Sequence, residues 1–160
     1  WGVSRFGRGW RQRWQGYIDA EACVFSDGAA YAGETEEEVL EAIGKSCIAG
    51  LSLLGGEPCE PCNQRALLPL LRKFKERYPD KTAWCYSGYT YDKDLQEGGR
   101  AHCEATDEML SLLDVLVDGE FIEAQKDLKL RFRGSANQRI IDVPRSLAQG
   151  KVVLWKDGDY

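Results

Sequence analysis

The chain has 160 residues, 43% of them hydrophobic, which suffices for one domain with a real core. Its formal net charge is −5; residues 1–17 hold Arg5, Arg8, Arg11 and Arg13 and no acid, so the remainder carries −9. That balance argues against a uniformly basic nucleic-acid protein, and no apolar run reaches the length of a membrane span.

The start, WGVSRFGRG, lacks the apolar stretch of a signal peptide and an initiator Met, so the expectation is a cytoplasmic chain truncated at its N-terminus. Six cysteines, at 23, 47, 59, 62, 85 and 103, then read as reduced thiols rather than a disulfide framework. Residues 7–22, GRGWRQRWQGYIDAEA, set Trp10, Trp14 and Tyr17 at intervals of four and three among arginines. The spacing fits a partly buried helical stripe. It also fits a basic-aromatic, anion-binding segment over residues 1–17, with rings stacking on bases and arginines meeting phosphates, although aromatics so spaced are more often core.

Residues 34–45 predict a helix, with Thr35 and Glu38 as a capping box and Val39, Leu40 and Ile43 on the apolar face. IAGLSLLGGEP, 48–58, reads as a buried strand ending in a glycine turn. Residues 63–79 predict a second helix on a Leu67, Leu70, Leu71 and Phe74 stripe, stopped by Pro79, with Pro69 implying a late start or a kink. TAWCYSGY, 82–89, is a second buried strand. Residues 105–114 form a third helix capped by Thr106, and VLVDGEF, 115–121, a third strand with its turn. The segment 152–155, VVLW, is a fourth strand. Strands alternating with helices mean βα units and a parallel sheet, whose ligands bind beyond the C-terminal strand ends.

Three strand ends carry candidate ligand groups. In GGEP, Gly55 and Gly56 admit a ligand close to the backbone, and Glu57, before Pro58, adds a carboxylate; an ordinary strand-to-helix turn is the commoner meaning of such a pair. CYSGY offers Ser87, Gly88 and Tyr89, and VDGEF offers Asp118, which reads equally well as a surface acid. Cys59 and Cys62 form a Cys-x-x-Cys pair, more often idle thiols than half a metal site or a thiol-exchange motif; Cys85 is the candidate third ligand. RFRGSANQR, 131–139, is a polar run suited to a phosphate or a partner through Arg133, Gly134, Ser135, Asn137 and Gln138, and otherwise a solvated loop. There is no phosphate-binding Walker loop and no nucleophile elbow, and the single His102 leaves no Ser-His-Asp set.

GLSLLGGEP, WCYSGYTYDKDL, LLDVLVDGEF and DLKLRFRGSANQRIIDV, in that order and at these separations, resemble the anaerobic ribonucleotide reductase activating proteins, a family of radical SAM glycyl-radical enzyme activases. The resemblance covers roughly residues 3–157. It implies a single radical-SAM-like domain over 1–160, an α/β open partial (β/α) barrel with a parallel sheet. It implies a [4Fe-4S] cluster on a Cys-x-x-x-Cys-x-x-Cys loop, with S-adenosylmethionine on the open iron and against the GGE turn. Gly55, Gly56, Glu57, Pro58, Ser87, Gly88, Tyr89 and Asp118 then become cofactor-side positions, and the RGSxNQ run a partner-side one. The implied partners are the anaerobic reductase, whose glycine loses a hydrogen to a 5′-deoxyadenosyl radical, and a flavodoxin-type reductant.

Laid on that pattern, the three cysteine positions hold Trp10, Trp14 and Tyr17, in a degenerate cluster loop over 7–22. Ile18 and Asp19 stand where an aromatic and Asn belong, and Cys23 where Trp often does. The preceding VSRFGRGW is a poor strand. Indole and phenol do not replace thiolates on iron, so the expectation is an impaired or inactive activase. A non-catalytic remnant that keeps reductase or S-adenosylmethionine binding is the alternative, as are an anion-binding segment at 1–17 and a metal site rebuilt from Cys59, Cys62 and Cys85.

Overall fold

The computed structural model describes residues 14–19, 33–54 and 56–156. Its elements are β1 (Trp14–Asp19), α1 (Gly33–Ile43), β2 (Ile48–Leu54), α2 (Pro61–Arg77), β3 (Thr82–Tyr86), α3 (Thr106–Leu112), β4 (Val115–Asp118), β5 (Arg139–Asp142) and α4 (Val143–Gln149). A single 3-10 turn, Glu123–Gln125, interrupts the loop before β5. The strands lie side by side in chain order. β1 to β4 are parallel, and β5 closes the row antiparallel to β4.

Strand alternation sorts the apolar side chains onto two faces. Leu51, Leu53, Ala83, Cys85, Leu116 and Ile141 join Leu40, Leu67, Leu70, Leu71, Phe74 and Met109 of the helices in one core. Trp84, Val115 and Val117 look the other way, with Tyr86, Ile140 and Trp155 packed on them. There Trp84, Phe132 and Trp155 form a ring triangle with centroids 5.3, 5.4 and 5.8 Å apart. Each fully buried leucine or phenylalanine contributes about 1.5–3 kcal/mol relative to exposure. At Gly50 a Cβ would fall 2.0 Å from the Thr82 carbonyl, so only glycine lets β2 pass β3 this closely. Lys81 ties α1 to β2 by donating from Nζ to the carbonyls of Ile43, Lys45 and Ile48.

The βα alternation stands, but several expectations need correction. The sheet is mixed rather than parallel, because β5 returns against β4. The segment 152–155 forms only a bridge, Leu154 with Ile141, instead of a fourth strand. α2 starts at Pro61, a first-turn position where proline costs no intrahelical bond, and it runs through the exposed interior Pro69 to Arg77, so there is no late start. Thr106 does not cap α3. Its Oγ1 accepts from the Cys103 amide at 2.8 Å and donates to Gln64 Oε1 at 2.6 Å. α1 begins two residues before Thr35, which therefore lies inside the helix. Trp14–Asp19 is a strand, so no helical stripe runs through Trp14 and Tyr17. Among the described residues no helix is long and apolar enough to cross a membrane.

Candidate functional site at the strand ends

Beyond β2 the chain turns through Gly56 (φ 48°) and Glu57 (φ 54°), both in the left-handed region. A glutamate there is strained by roughly 1–2 kcal/mol, and its surroundings hold it. Its Oε1 accepts from Ser87 Oγ at 2.6 Å and from the Cys59 amide at 3.1 Å, and Oε2 accepts from the Gly88 amide at 2.8 Å. Asn63, in the first turn of α2, donates from Nδ2 to the carbonyls of Gly56 (2.8 Å) and Glu57 (2.9 Å). The GGEP and CYSGY motifs are thus one unit: Glu57 bridges the ends of β2 and β3. Gly55 lies outside the described residues, and Pro58 is buried in the same turn.

Tyr89 continues the unit. Its amide bonds Ser87 Oγ at 3.0 Å and its hydroxyl donates to Glu60 Oε2 at 2.6 Å. The bond to the Glu60 carboxylate, with burial behind it, pushes the phenol up to about 12. The Arg100 guanidinium lies 4.8 Å over the ring.

At the end of β4, Asp118 is buried and ion-paired, not a surface acid. Arg139 meets it through Nε at 2.9 Å and Nη2 at 2.5 Å, and the Tyr91 amide adds a third bond at 2.8 Å. Arg139 Nη2 also reaches Asp92 at 2.7 Å, holding that carboxyl below its usual range. The same hydrogen bonds, to Asp118 and then Asp92, raise the guanidinium further still. With both oxygens engaged, Asp118 positions the loop after β3.

The VDGEF turn and the RGSANQ run clasp each other. Gln138 donates to the Gly119 carbonyl at 3.0 Å and accepts from the amides of Gly134 and Ser135 at 2.8 and 3.1 Å. Asn137 donates to the Glu120 carbonyl at 2.8 Å and accepts from Ser135 Oγ at 2.7 Å. Arg133 donates to the Gln138 carbonyl at 2.5 Å. Gly119 has φ 100°, a conformation that favours glycine. The polar run is therefore an internally bonded loop rather than an open set of donors.

Cys59 and Cys85 bring their sulfurs to 3.9 Å, both buried. The hydrogen bond with Cys59, then burial, pushes the Cys85 thiol up. Cys62 is exposed and sits 3.8 Å from Asn63 Oδ1. Among the described residues no three His, Cys, Asp or Glu side chains could hold a metal ion, so a three-ligand site on Cys59, Cys62 and Cys85 does not form here.

Trp10, Cys23, Arg11 and Arg13 lie outside the described residues. Trp14 and Tyr17 do not: they stand on β1, where Tyr17 pairs with Ser52. Extended backbone rises about 3.3 Å per residue, which sets the two Cα atoms roughly 10 Å apart, whereas a shared cluster needs ligands brought together on a turn.

The helix after the turn holds residues that reading by motif overlooked. Gln64 is fully buried and donates to the carbonyls of Cys59 (2.5 Å) and Ala101 (2.8 Å). With Asn63 it anchors the GGEP turn. The signal was an amide pair in the first turn of a helix following a glycine turn. A separate cavity of about 250 Å³ is lined by Tyr91, Asp92, Gln96, Ser146, Leu147 and Val152, among others, and touches none of the candidate cofactor-side residues.

Comparison with known proteins completes the picture. The family described as "4Fe-4S single cluster domain" matches residues 5–141. The chain is 37% identical over 128 residues to the anaerobic ribonucleoside-triphosphate reductase-activating protein of Haemophilus influenzae, covering 79% of this chain and 77% of that one. The protein of that name from Vibrio cholerae is 38% identical over the same shares. The one from Escherichia coli K12 is 32% identical over 115 residues, 71% of this chain and 70% of its own. No solved structure matches.

Proposed function

The chain belongs to the family of anaerobic ribonucleoside-triphosphate reductase-activating proteins, and from that premise we propose that it binds the anaerobic reductase on an activase scaffold without carrying a cluster on residues 10, 14 and 17. The observation that carries this reading is the donor set. Those positions hold Trp10, Trp14 and Tyr17, none of which supplies a thiolate. The extended β1 backbone under two of them supports the same conclusion. The family's group therefore does not fit the residues present, and no step is routed through it.

The fold belongs to the same reading. Four parallel strands with helices packed on one face are consistent with an open partial barrel of the radical SAM type. The reductase is the partner that the relatives' names specify. A flavodoxin-type reductant has no acceptor on such a chain, and the cytoplasm is its place of action. The chain's own residues do scaffold work: Glu57 fixes the turn after β2, Asp118 and Arg139 fix the loop after β3, and the 119–138 clasp presents a set surface for the reductase.

Calorimetric titration of the purified reductase with this chain tests the reading, paired with EPR of the mixture after S-adenosylmethionine and reductant are added. Saturable binding with no glycyl radical is expected. Absent binding, or a glycyl radical, contradicts it.

A second reading, weak S-adenosylmethionine binding at the Gly56–Glu57 turn, is favoured by the left-handed backbone of both residues at the end of β2. Titration of the ligand into wild type and Glu57→Ala distinguishes it. Equal affinity, with both proteins folded by circular dichroism, rules it out.

A further inference from the structure

We propose that Cys62, Cys59 and Cys85 form a thiol–disulfide exchange site for low-molecular-weight disulfides, with Cys62 the receiving thiol and a Cys59–Cys85 disulfide the end state. Two independent observations meet here. Cys59 and Cys62 are a Cys-x-x-Cys pair at a strand-to-helix turn, Cys59 in the turn and Cys62 as the second residue of the 17-residue α2. The structure then sets a third sulfur, Cys85 on β3, 3.9 Å from Cys59. A disulfide needs about 2.05 Å, so a closure of roughly 2 Å on a turn residue suffices.

The exposures assign the roles. Cys62 is exposed, whereas Cys59 and Cys85 are 2% and 0% exposed. Of these three, only Cys62 meets a disulfide from solvent. Its thiolate attacks one sulfur of the reagent, the reagent's S–S bond breaks, and one reagent thiolate leaves and takes up a proton. Cys59 gives its proton to solvent and attacks the Cys62 sulfur, expelling the second reagent thiol. Cys85 then loses its proton as it attacks Cys59, and Cys62 is released as a thiol. In sum, one disulfide and two protein thiols become one protein disulfide and two reagent thiols. The hydrogen-bonded, buried Cys85 is kept protonated at rest, which places it last in the sequence.

Cys103 is drawn elsewhere, with its sulfur 3.6 Å from Gln64 Oε1 and Thr106 Oγ1. Cys47 is exposed and lies in the turn before β2, outside the pair.

The test is incubation of the intact chain with oxidised glutathione, followed by intact mass and peptide mapping over time. The result expected is loss of two hydrogens, mapped to Cys59–Cys85. Cys62→Ser, an exposed change that leaves the fold intact by circular dichroism, slows that loss at least about tenfold. Three results overturn the proposal: a stable glutathione adduct at Cys62 with no internal disulfide, a disulfide between other cysteines, or Cys62→Ser oxidising as fast as wild type.

Discussion

Asp118 and Arg139 face each other as register partners across the only antiparallel junction among the described strands, and their side chains close a two-point ion pair at 2.9 and 2.5 Å. The Asp118 side chain is 1% exposed and the Arg139 side chain 32%. Removing the cation leaves a carboxylate in the interior with only the Tyr91 amide as partner. Breaking a buried pair this way costs about 3–5 kcal/mol, and the partial exposure of Arg139 sets this case near the low end. Arg139→Ala therefore loses about 3 kcal/mol in urea unfolding, with an unchanged slope. A loss below about 0.5 kcal/mol, the size of an ordinary surface substitution, contradicts the structural role given to the pair.

Tyr89 makes a pH prediction. Its folded-state value, about 12, is raised by the Glu60 carboxylate that accepts its hydrogen bond. A raised value means that the stabilisation is complete below the unfolded tyrosine value, near 10, and is lost as pH climbs through about 12. The difference in tyrosinate absorbance between wild type and Tyr89→Phe isolates this phenol among the seven tyrosines. Glu60→Gln moves its midpoint down toward the ordinary value. An unmoved midpoint shows that Glu60 is not the cause.

The clasp between the VDGEF turn and the RGSANQ run hangs on Gln138. Its three hydrogen bonds, to Gly119, Gly134 and Ser135, contribute about 1 kcal/mol each at most, since water competes for them. Gln138→Ala destabilises by about 2 kcal/mol and speeds amide exchange at Gly134 and Ser135. Exchange at wild-type rates there means that the clasp is held by other contacts.

The parts of this fold written in local patterns were legible. IAGLSLL, TAWCY and VLVD are short apolar runs next to glycine or polar turns, and the α2 stripe is periodic over several turns, so strands and helix follow from side-chain spacing. The C-terminal part was misread because the longer apolar run lost to a shorter one. VVLW invites a strand, but RIID takes the β4 edge since Arg139 finds Asp118 there. α4 had its signals too: Asp142 as a cap accepting from the Arg145 amide, Pro144 in the first turn and Gly150 at φ 63° after the end. They lie between the polar run and VVLW, where no element was expected.

For the site, each motif stood out and the links between them did not. Nothing local in GGEP says that Glu57 reaches Ser87 and Gly88, thirty residues on. Nothing in the Cys-x-x-Cys pair announces Cys85 beside it. Such pairings come from the order of parallel strands, which stacks the ends of β2, β3 and β4 at one rim. The strand at Trp14–Asp19 was hidden by the ligand-loop pattern, although its aromatic and β-branched residues, Trp14, Tyr17 and Ile18, suit extended pairing with β2.

The central claim is that the scaffold persists without a cluster on residues 10, 14 and 17. Anaerobic reconstitution with iron and sulfide tests it most directly, followed by EPR of the dithionite-reduced protein with and without S-adenosylmethionine. The account predicts a protein that is folded by circular dichroism and shows no [4Fe-4S]⁺ signal. A signal that changes when S-adenosylmethionine is added contradicts it.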